Sequence, residues 1–487
     1  MTSVLGPVGC GWWRRVPLLA GGAALLAFTV LCVRLQPGPV WDDPYIFFRY
    51  ARNIANGSGW TYNPGVDSPN AVTSTAYVTV LAGLALVGVT VEFASTLVWV
   101  VALSGAGLIL ALLLWRAGQE LAAPVAAALV VALPSITFNR GMETALVLAT
   151  TLAVVLVARS RHAFLFGVLA AMLVLTRPDS VVVLVGILAS ELLLHRSSPG
   201  VLMKQPVRML SGALVMLVPW IGFSLVKFGS LLPSTLAAKQ AQFASGRWGS
   251  YIHGLYRYPY THEQKYFFWI AVILCVIGVV GAVSRPSVWP LLVPLGAGAV
   301  LQMVAYGLVL RVPFYPWYYA LPTLVAVIFM ALGVDVLACL LRPVRLRAAL
   351  VAVSVALVAT YGVGNLPRHP AESRQNMATI GSWLAANTPE NSTVAANEFG
   401  MLGWHSDRPM IDYLGLLDPT MNEYVRKNDF VSWAYDLQPD YFVTWTDPTW
   451  RLDWALTGEP WFPQTFRPVF RSGVLTVYER VGPVPRD

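Results

Sequence analysis

Repeated runs of uncharged, apolar residues constrain this chain more than any other feature. Residues 16–33 and 97–114 are each long enough to cross a hydrocarbon core of about 30 Å. Further apolar runs occupy residues 71–89, 95–115, 121–138, 144–157, 163–175 and 180–194. Only 12% of the residues are charged and 56% are hydrophobic, whereas a soluble domain carries roughly 25% charged residues. The expected fold is therefore an α-helical polytopic membrane protein with about eleven transmembrane helices, each needing ~20 residues unless shorter or tilted. Residues 16–33 read as a retained first helix rather than a cleaved signal, since no small-residue cleavage site follows.

The basic residues then orient the chain. Arg14 and Arg15 precede the first run, which puts that end in the cytoplasm. If residues 71–89 cross the membrane, the basic segments 159–162 and 195–208 fall outside. If they dip into the outer leaflet and return as a juxtamembrane or re-entrant segment, every basic loop becomes cytoplasmic, including Arg116, Arg285 and residues 342–347. The second arrangement is preferred. Positive-inside loops also account for the net charge of +8 without a nucleic-acid partner. Cys10, Cys32, Cys275 and Cys339 have neither metal-ligand nor disulfide-framework spacing.

In this arrangement residues 1–365 form a transmembrane domain with a first outer loop at about residues 35–93. Residues 139–143, 176–179, 228–266 and 311–319 share the outer face with that loop. From residue 366 to 487 the composition shifts toward Pro, Asp, Asn and Glu, which predicts an extracytoplasmic α/β domain. A helix is expected over 371–387, and strands over 392–396, 409–413, 441–445 and 474–479.

The first outer loop carries the densest polar chemistry. Asp42 and Asp43 open it, followed by Tyr45, Arg49, Arg52 and several amides, Asn70 among them. Two readings are open for the acids. They cap the helix that begins at Pro44, with Asp43 as N-cap, or they serve a site for a polar substrate. Glu143 and Arg177 sit at the ends of apolar runs, where an ionisable group must be paired or face a wet cavity. Residues 228–266 interleave Lys239, Arg247, His253, Arg257 and His262 with aromatics such as Tyr256. That mixture suits either an interfacial belt or a wall for sugars and phosphates. A zinc site from His253, His262 and Glu263 has no standard spacing. In the C-terminal segment Asp407, Asp418 and Asp447 read as turn residues, while Glu398 and Asp412 are the acids expected to face the membrane site.

A carboxylate pair beside cations and aromatics suits one reaction well. An acceptor hydroxyl loses its proton to a carboxylate and attacks a sugar carbon, and a phosphate carried on a membrane lipid leaves. Gly-rich nucleotide loops are lacking. Paired carboxylates also bind hard cations, so a divalent cation is compatible with the site but no cofactor is assigned.

Several segments together resemble the GT-C superfamily of polyprenyl-phosphate-sugar glycosyltransferases, and within it the actinobacterial cell-wall arabinofuranosyltransferases of the terminal β-1,2-adding type. They are Asp42-Asp43 with the following Tyr45 to Asn53, Gly57 to Pro64, Thr73-Ser74-Thr75, Gly141 to Thr144, Arg177-Pro178-Asp179 and Phe228 to Lys239. In the C-terminal segment they are Glu398 to Gly403 and Ile411 to Pro419. The resemblance implies transfer of arabinofuranose from a polyprenyl-phosphate donor to a cell-envelope acceptor on the outer face of the plasma membrane. It implies that one Asp, Asp42 by preference, is the general base. It implies Arg177 and Lys239 near the donor phosphate and Glu143 lining the sugar site. Three rivals remain: a mannosyl- or aminoarabinosyltransferase acting on protein or lipid, a lipid-linked sugar transporter, and a non-catalytic assembly subunit.

Overall fold

The computed structural model describes residues 16–66, 69–158, 160, 162–194, 205–368, 372–446 and 452–485. The chain opens with α1 (Val16–Leu35), α2 (Asp43–Ala55), α3 (Thr75–Leu86), α4 (Val91–Arg116), α5 (Ala122–Ala132), α6 (Thr144–Ala158), α7 (Ala163–Thr176) and α8 (Ser180–Leu194). It continues with α9 (Pro206–Phe228), α10 (Thr235–Ala244), α11 (Tyr251–His262), α12 (Lys265–Val283), α13 (Trp289–Val304), α14 (Ala320–Leu340) and α15 (Val344–Gly364).

This is a multi-pass membrane protein. Among the described residues, six helical segments are long and apolar enough to cross a bilayer, those at Val91–Arg116, Pro206–Phe228, Lys265–Val283, Pro286–Val309, Pro316–Leu340 and Val344–Gly364. One of the shorter apolar helices lies deep in the bundle. In α5 every residue but Pro124 is buried, so its backbone is sheathed by protein and need not reach both surfaces. The outer helices do the opposite. Val226 on α9, Val280 on α12 and Leu357 on α15 are exposed, which costs nothing where the solvent is hydrocarbon. Helices approach closely through small residues. A Cβ on Gly278 would overlap the Phe329 carbonyl of α14, and one on Gly333 the Leu274 carbonyl of α12. At ~1.5 Å per residue, the twelve residues of α3 span about 18 Å, short of a hydrocarbon core.

The short helix α2 forms because Pro44 fixes the backbone of its first turn. Ile46, Phe47, Phe48, Tyr50 and Ala51 then give it a buried apolar face. Asp42, rather than Asp43, occupies the N-cap position, and its side chain makes no cap to its own helix. The capping reading of the acid pair is therefore corrected: neither carboxylate closes α2.

After α15 the chain changes character. α16 (Glu372–Asn387) and α17 (Gly400–Ser406) accompany a five-stranded sheet of β1 (Val394–Ala396), β2 (Met410–Ile411), β3 (Tyr441–Trp445), β4 (Phe466–Ser472) and β5 (Leu475–Arg480). The strand order is β2-β1-β3-β5-β4, with β1 parallel to β2 and β3, and β5 antiparallel to β3 and β4. Four strands and the helix fall where the sequence placed them. The fifth, β4, was not expected, because Pro468 lies inside it. As an edge strand with an irregularity between Pro468 and Phe470 it tolerates the missing donor. Asp447 and the side chain of His262 lie outside the described residues.

Candidate active site

A cavity of about 200 Å³ lies where α2, the α7–α8 turn, α10 and the 305–319 segment meet. Asp43, Arg177, Asp179, Lys239, Tyr306, Trp317 and Tyr318 line it. The charged groups arrive from three separate parts of the chain, Arg177 and Asp179 sharing one turn. Asp43 opens α2, and Arg177 follows the last turn of α7. Lys239 sits on the buried face of α10. Tyr306 lies in a π-helical stretch, Ala305–Val309, that ends the α13 span, and such widened turns are frequent at functional sites.

Arg177 is the hub. It donates from Nη1 to Glu143 Oε1 at 3.0 Å, from Nε to Asp179 at 3.3 Å, and from Nη2 to the Tyr306 hydroxyl at 3.0 Å. The Tyr306 hydroxyl donates in turn to Asp179. The pairing of helix-end charges expected from the sequence thus belongs to Arg177. Arg140 instead donates to the Val33 and Gln36 carbonyls at the end of α1 and to Thr96. Lys239 is different. Among the described residues its ammonium has no hydrogen-bond acceptor, and it lies 3.4 Å from the centre of the Tyr315 ring. Burial lowers its pKa to about 8, against the opposing pull of Asp43 and Asp412. Asp43 likewise makes no side-chain hydrogen bond to another described residue. Burial raises its pKa, and Lys239 offsets part of that rise.

Asp42 points elsewhere. Its two carboxylate oxygens accept the backbone N–H groups of Gly400 and Met401, both at 2.7 Å. It thereby caps α17, a helix that begins 358 residues later. The approach requires glycine: a Cβ at Gly400 would lie 2.5 Å from the Asp42 carbonyl oxygen. Burial, with Glu398 and Asp43 nearby, raises the Asp42 pKa to about 7, while the two N–H donors pull it down. Arg49 extends the same seam, donating to the carbonyls of Gly403 and Arg408 at 2.9 Å each. Arg52 donates to Asp407 at 2.7 Å, and Tyr62 to the Phe399 carbonyl at 2.9 Å.

Of the residues singled out in the sequence, Asp43, Arg177, Lys239 and Glu143 come together at the cavity or its immediate wall. Arg49 is committed to the seam, and Asn70 accepts from Trp60 Nε1 and, through its carbonyl, from Ser234. The carboxylate of Asp412 accepts from the N–H groups of Leu414, Leu416 and Leu417, and burial raises its pKa to about 6. Tyr45 and Glu398 lie on the Asp42 side. His253 and Tyr256 are exposed on α11 and take no part in the cavity. Glu263 accepts from Ser135 N–H and the Tyr361 hydroxyl, so it is not poised to join His253 in a metal site.

The whole arrangement can be compared with solved structures. ArnT from Cupriavidus metallidurans, bound to undecaprenyl phosphate, aligns over 97% of this chain and 100% of its own, with a TM-score of 0.59 at 15% identity. The arabinofuranosyltransferase AftD from Mycobacteria aligns over 96% of this chain and 40% of its own, with a TM-score of 0.55 at 14% identity. The archaeal oligosaccharyltransferase AglB from Archaeoglobus fulgidus, in complex with an inhibitory peptide and a dolichol-phosphate, aligns over 90% and 70%, with a TM-score of 0.53 at 13% identity. The fold is GT-C-like. A family described as "Domain of unknown function (DUF8728)" matches residues 367–478. No curated protein matches by sequence.

Within this GT-C-like frame, sequence reasoning overlooked Tyr306, whose hydroxyl is the third partner of Arg177. The available signal was weak: a tyrosine four residues after Gln302 in an otherwise apolar run. It placed the 311–319 turn on the outer face without giving it a role. Trp317, Tyr318 and Tyr319 are buried, and the first two line the cavity.

Proposed function

We propose that the protein is a membrane glycosyltransferase that moves a sugar, arabinofuranose by preference, from a polyprenyl-phosphate donor to a cell-envelope acceptor on the extracytoplasmic face. One observation carries the reading: the Asp43 carboxylate, the Lys239 ammonium and the Arg177 guanidinium share one cavity, and the side chains of the first two make no hydrogen bond to another described residue. Asp43 is the base. It accepts the proton of the acceptor hydroxyl as that oxygen forms its bond to the anomeric carbon. The bond from that carbon to the phosphate oxygen breaks, and the polyprenyl phosphate leaves with the electron pair. Lys239 and Arg177 bind the phosphate and stabilise the charge that gathers on it. Asp42 holds α17 against the site and acts through position rather than proton transfer.

A second reading keeps the chemistry and changes the substrates to a mannosyl or aminoarabinosyl donor and a lipid or protein acceptor. What favours it is length: this chain matches all of ArnT but 40% of AftD.

The test is transfer from synthetic polyprenyl-phospho-arabinofuranose to a short arabinofuranosyl glycan. Asp43→Asn is expected to lose ~100-fold or more in rate at unchanged expression, the scale of a lost general base. Wild-type turnover with full activity in Asp43→Asn would move the base elsewhere. Silence with arabinose but transfer of mannose would select the second reading.

A further inference from the structure

Arg177 and Lys239 both line the cavity, and they are held in opposite ways. Arg177 spends its N–H donors on Glu143, Asp179 and Tyr306. The Lys239 ammonium carries three N–H donors and is held by a ring face instead. Its Nζ lies 3.4 Å from the centre of the Tyr315 ring and 5.9 Å from that of Trp317. A π-face attracts a cation through its quadrupole, most strongly where water is excluded. A carboxylate in that place would take the N–H groups as well as the charge. The ring balances part of the charge and leaves the N–H groups open.

This seat is built from two directions. Lys239 and Gln242 stand three residues apart on α10, so both lie on its buried face. The Tyr315 hydroxyl donates to Gln242 Oε1 at 2.8 Å while the ring meets Lys239. Two side chains of one helix thus grip one tyrosine. Burial raises the pKa of the phenol, so its proton stays in that bond. Trp317 backs the ring at 4.9 Å, with 29° between the planes. Pro316 follows Tyr315 and favours its extended backbone, φ −139° and ψ 136°. The turn is tied in its own right to the chain entering α11. Tyr251 N–H donates to the Val312 carbonyl at 3.3 Å, and Phe314 N–H to that of Gly249 at 2.6 Å. Lys239 and Trp317 belong to the cavity wall, whereas Tyr315 does not.

We propose that Tyr315 and Gln242 are positioning residues for sugar transfer: the ring, anchored by Gln242, holds the Lys239 ammonium at the cavity wall and leaves its N–H donors to the phosphate of the donor. This rests on the reading of the cavity as a glycosyl-transfer site. Both residues act through Lys239.

The test uses the full-length protein in nanodiscs, with transfer from polyprenyl-phospho-arabinofuranose followed as a function of pH. The charged groups around Lys239 are Asp43 on α2, Asp412 after β2 and Arg177 after α7, and none of them is changed. Tyr315→Leu removes the ring and keeps the site apolar, so the ammonium loses support. The alkaline limb of the donor kcat/KM, set near pH 8 by Lys239, should move down by ~1 pH unit, with kcat/KM lowered ~10-fold. A purely structural role would instead admit water to α10 and move the limb up. Tyr315→Phe retains the ring, so its limb should stay near pH 8 while the donor KM rises ~5-fold from the lost bond to Gln242. Gln242→Leu should raise the donor KM similarly, and the double variant should be no worse than Gln242→Leu alone. A limb that stays or rises in Tyr315→Leu would overturn the proposal. So would additive losses in the double variant, which can be read even where Tyr315→Leu does not fold. If wild type transfers no sugar, the transferase reading falls, and NMR of protein labelled with ε-13C-lysine judges the seat by itself. The Lys239 signal is assigned by its loss in Lys239→Arg. A Lys239 pKa that drops in Tyr315→Leu but not in Tyr315→Phe supports the seat, and one that holds or rises in Tyr315→Leu overturns it.

Discussion

Two polar clusters flank α2, and they differ in where their hydrogen bonds go. On the α17 side Asp42 ends on the N–H groups of Gly400 and Met401, and Arg49 on two carbonyls. Tyr62 and Asn63 likewise end on main-chain atoms, those of Phe399 and Met410. On the α10 side Asp43 and Lys239 line one cavity, and neither side chain makes a hydrogen bond to another described residue. Adjacent residues of one type, Asp42 and Asp43, thus do opposite work. A carboxylate saturated by main-chain donors holds two parts of the chain together. One that keeps its lone pairs open at the cost of burial is available to a substrate.

The largest expected break in this contrast comes from exchanging the acids one at a time. Asp43→Asn should lose ~10²–10⁴-fold in transfer rate with its thermal midpoint near wild type. Asp42→Asn should keep far more of the rate but lower the midpoint, since an amide accepts fewer of the two N–H bonds, each worth about 1.5–3 kcal/mol to a charged group. Rates and melting curves on the same detergent-purified samples measure both, and a reversed pattern would exchange the two roles.

Arg177 sharpens the comparison from within the open cluster. Arg177→Met leaves Glu143 buried without its partner and should destabilise by about 3–5 kcal/mol. Adding Glu143→Gln should recover most of that loss but not donor binding. If the double variant binds donor normally, the hub serves structure alone.

Across the seam, Arg49→Met should cost about 2–3 kcal/mol by orphaning the Gly403 and Arg408 carbonyls. Limited proteolysis should then release the region after residue 372 sooner than in wild type. The donor KM of the surviving intact protein should stay near normal. A donor KM that rose with proteolysis would mean that the two clusters are not separable.

Titration offers a milder probe. Asp43, Asp412 and Arg177 surround Lys239, whose pKa is lowered to about 8. The ammonium is present below that value and lost as pH rises through it. The donor kcat/KM should therefore fall ~10-fold per unit above pH 8. Asp43 is raised, so the acid limb lies above the ordinary carboxylate range. Lys239→Arg, whose guanidinium stays charged, should flatten the alkaline limb and leave the acid limb in place. The smallest effect belongs to His253→Ala and Tyr256→Ala. Both residues are exposed on α11, and changes in rate and stability within ~0.5 kcal/mol are expected.

Much of the architecture was legible in the linear pattern because bilayer physics writes itself into composition. Each apolar run that the sequence marked became a helix, and the strands with β-branched and aromatic residues became β1, β2, β3 and β5. Strand β4 was hidden by Pro468, a local signal against pairing that an edge position overrides. Arg177 and Glu143 were legible because an ion at the end of an apolar run demands a partner. Tyr306 was not, because a tyrosine in a membrane helix carries no such demand until the π-helical turn aims its hydroxyl at Arg177.

The acid pair draws the line between sequence and structure. That two carboxylates, cations and aromatics gather beside a bundle of apolar helices follows from the sequence, since charge and hydropathy act locally along the chain. Which carboxylate is free was decided only in three dimensions. Gly400 and Gly403 let α17 approach α2 closely, and Asp42 meets two N–H groups 358 and 359 residues away. Loop closure over that distance leaves no local trace in the sequence, so a hydrogen bond fixed by packing separates two neighbours that the sequence presents as alike.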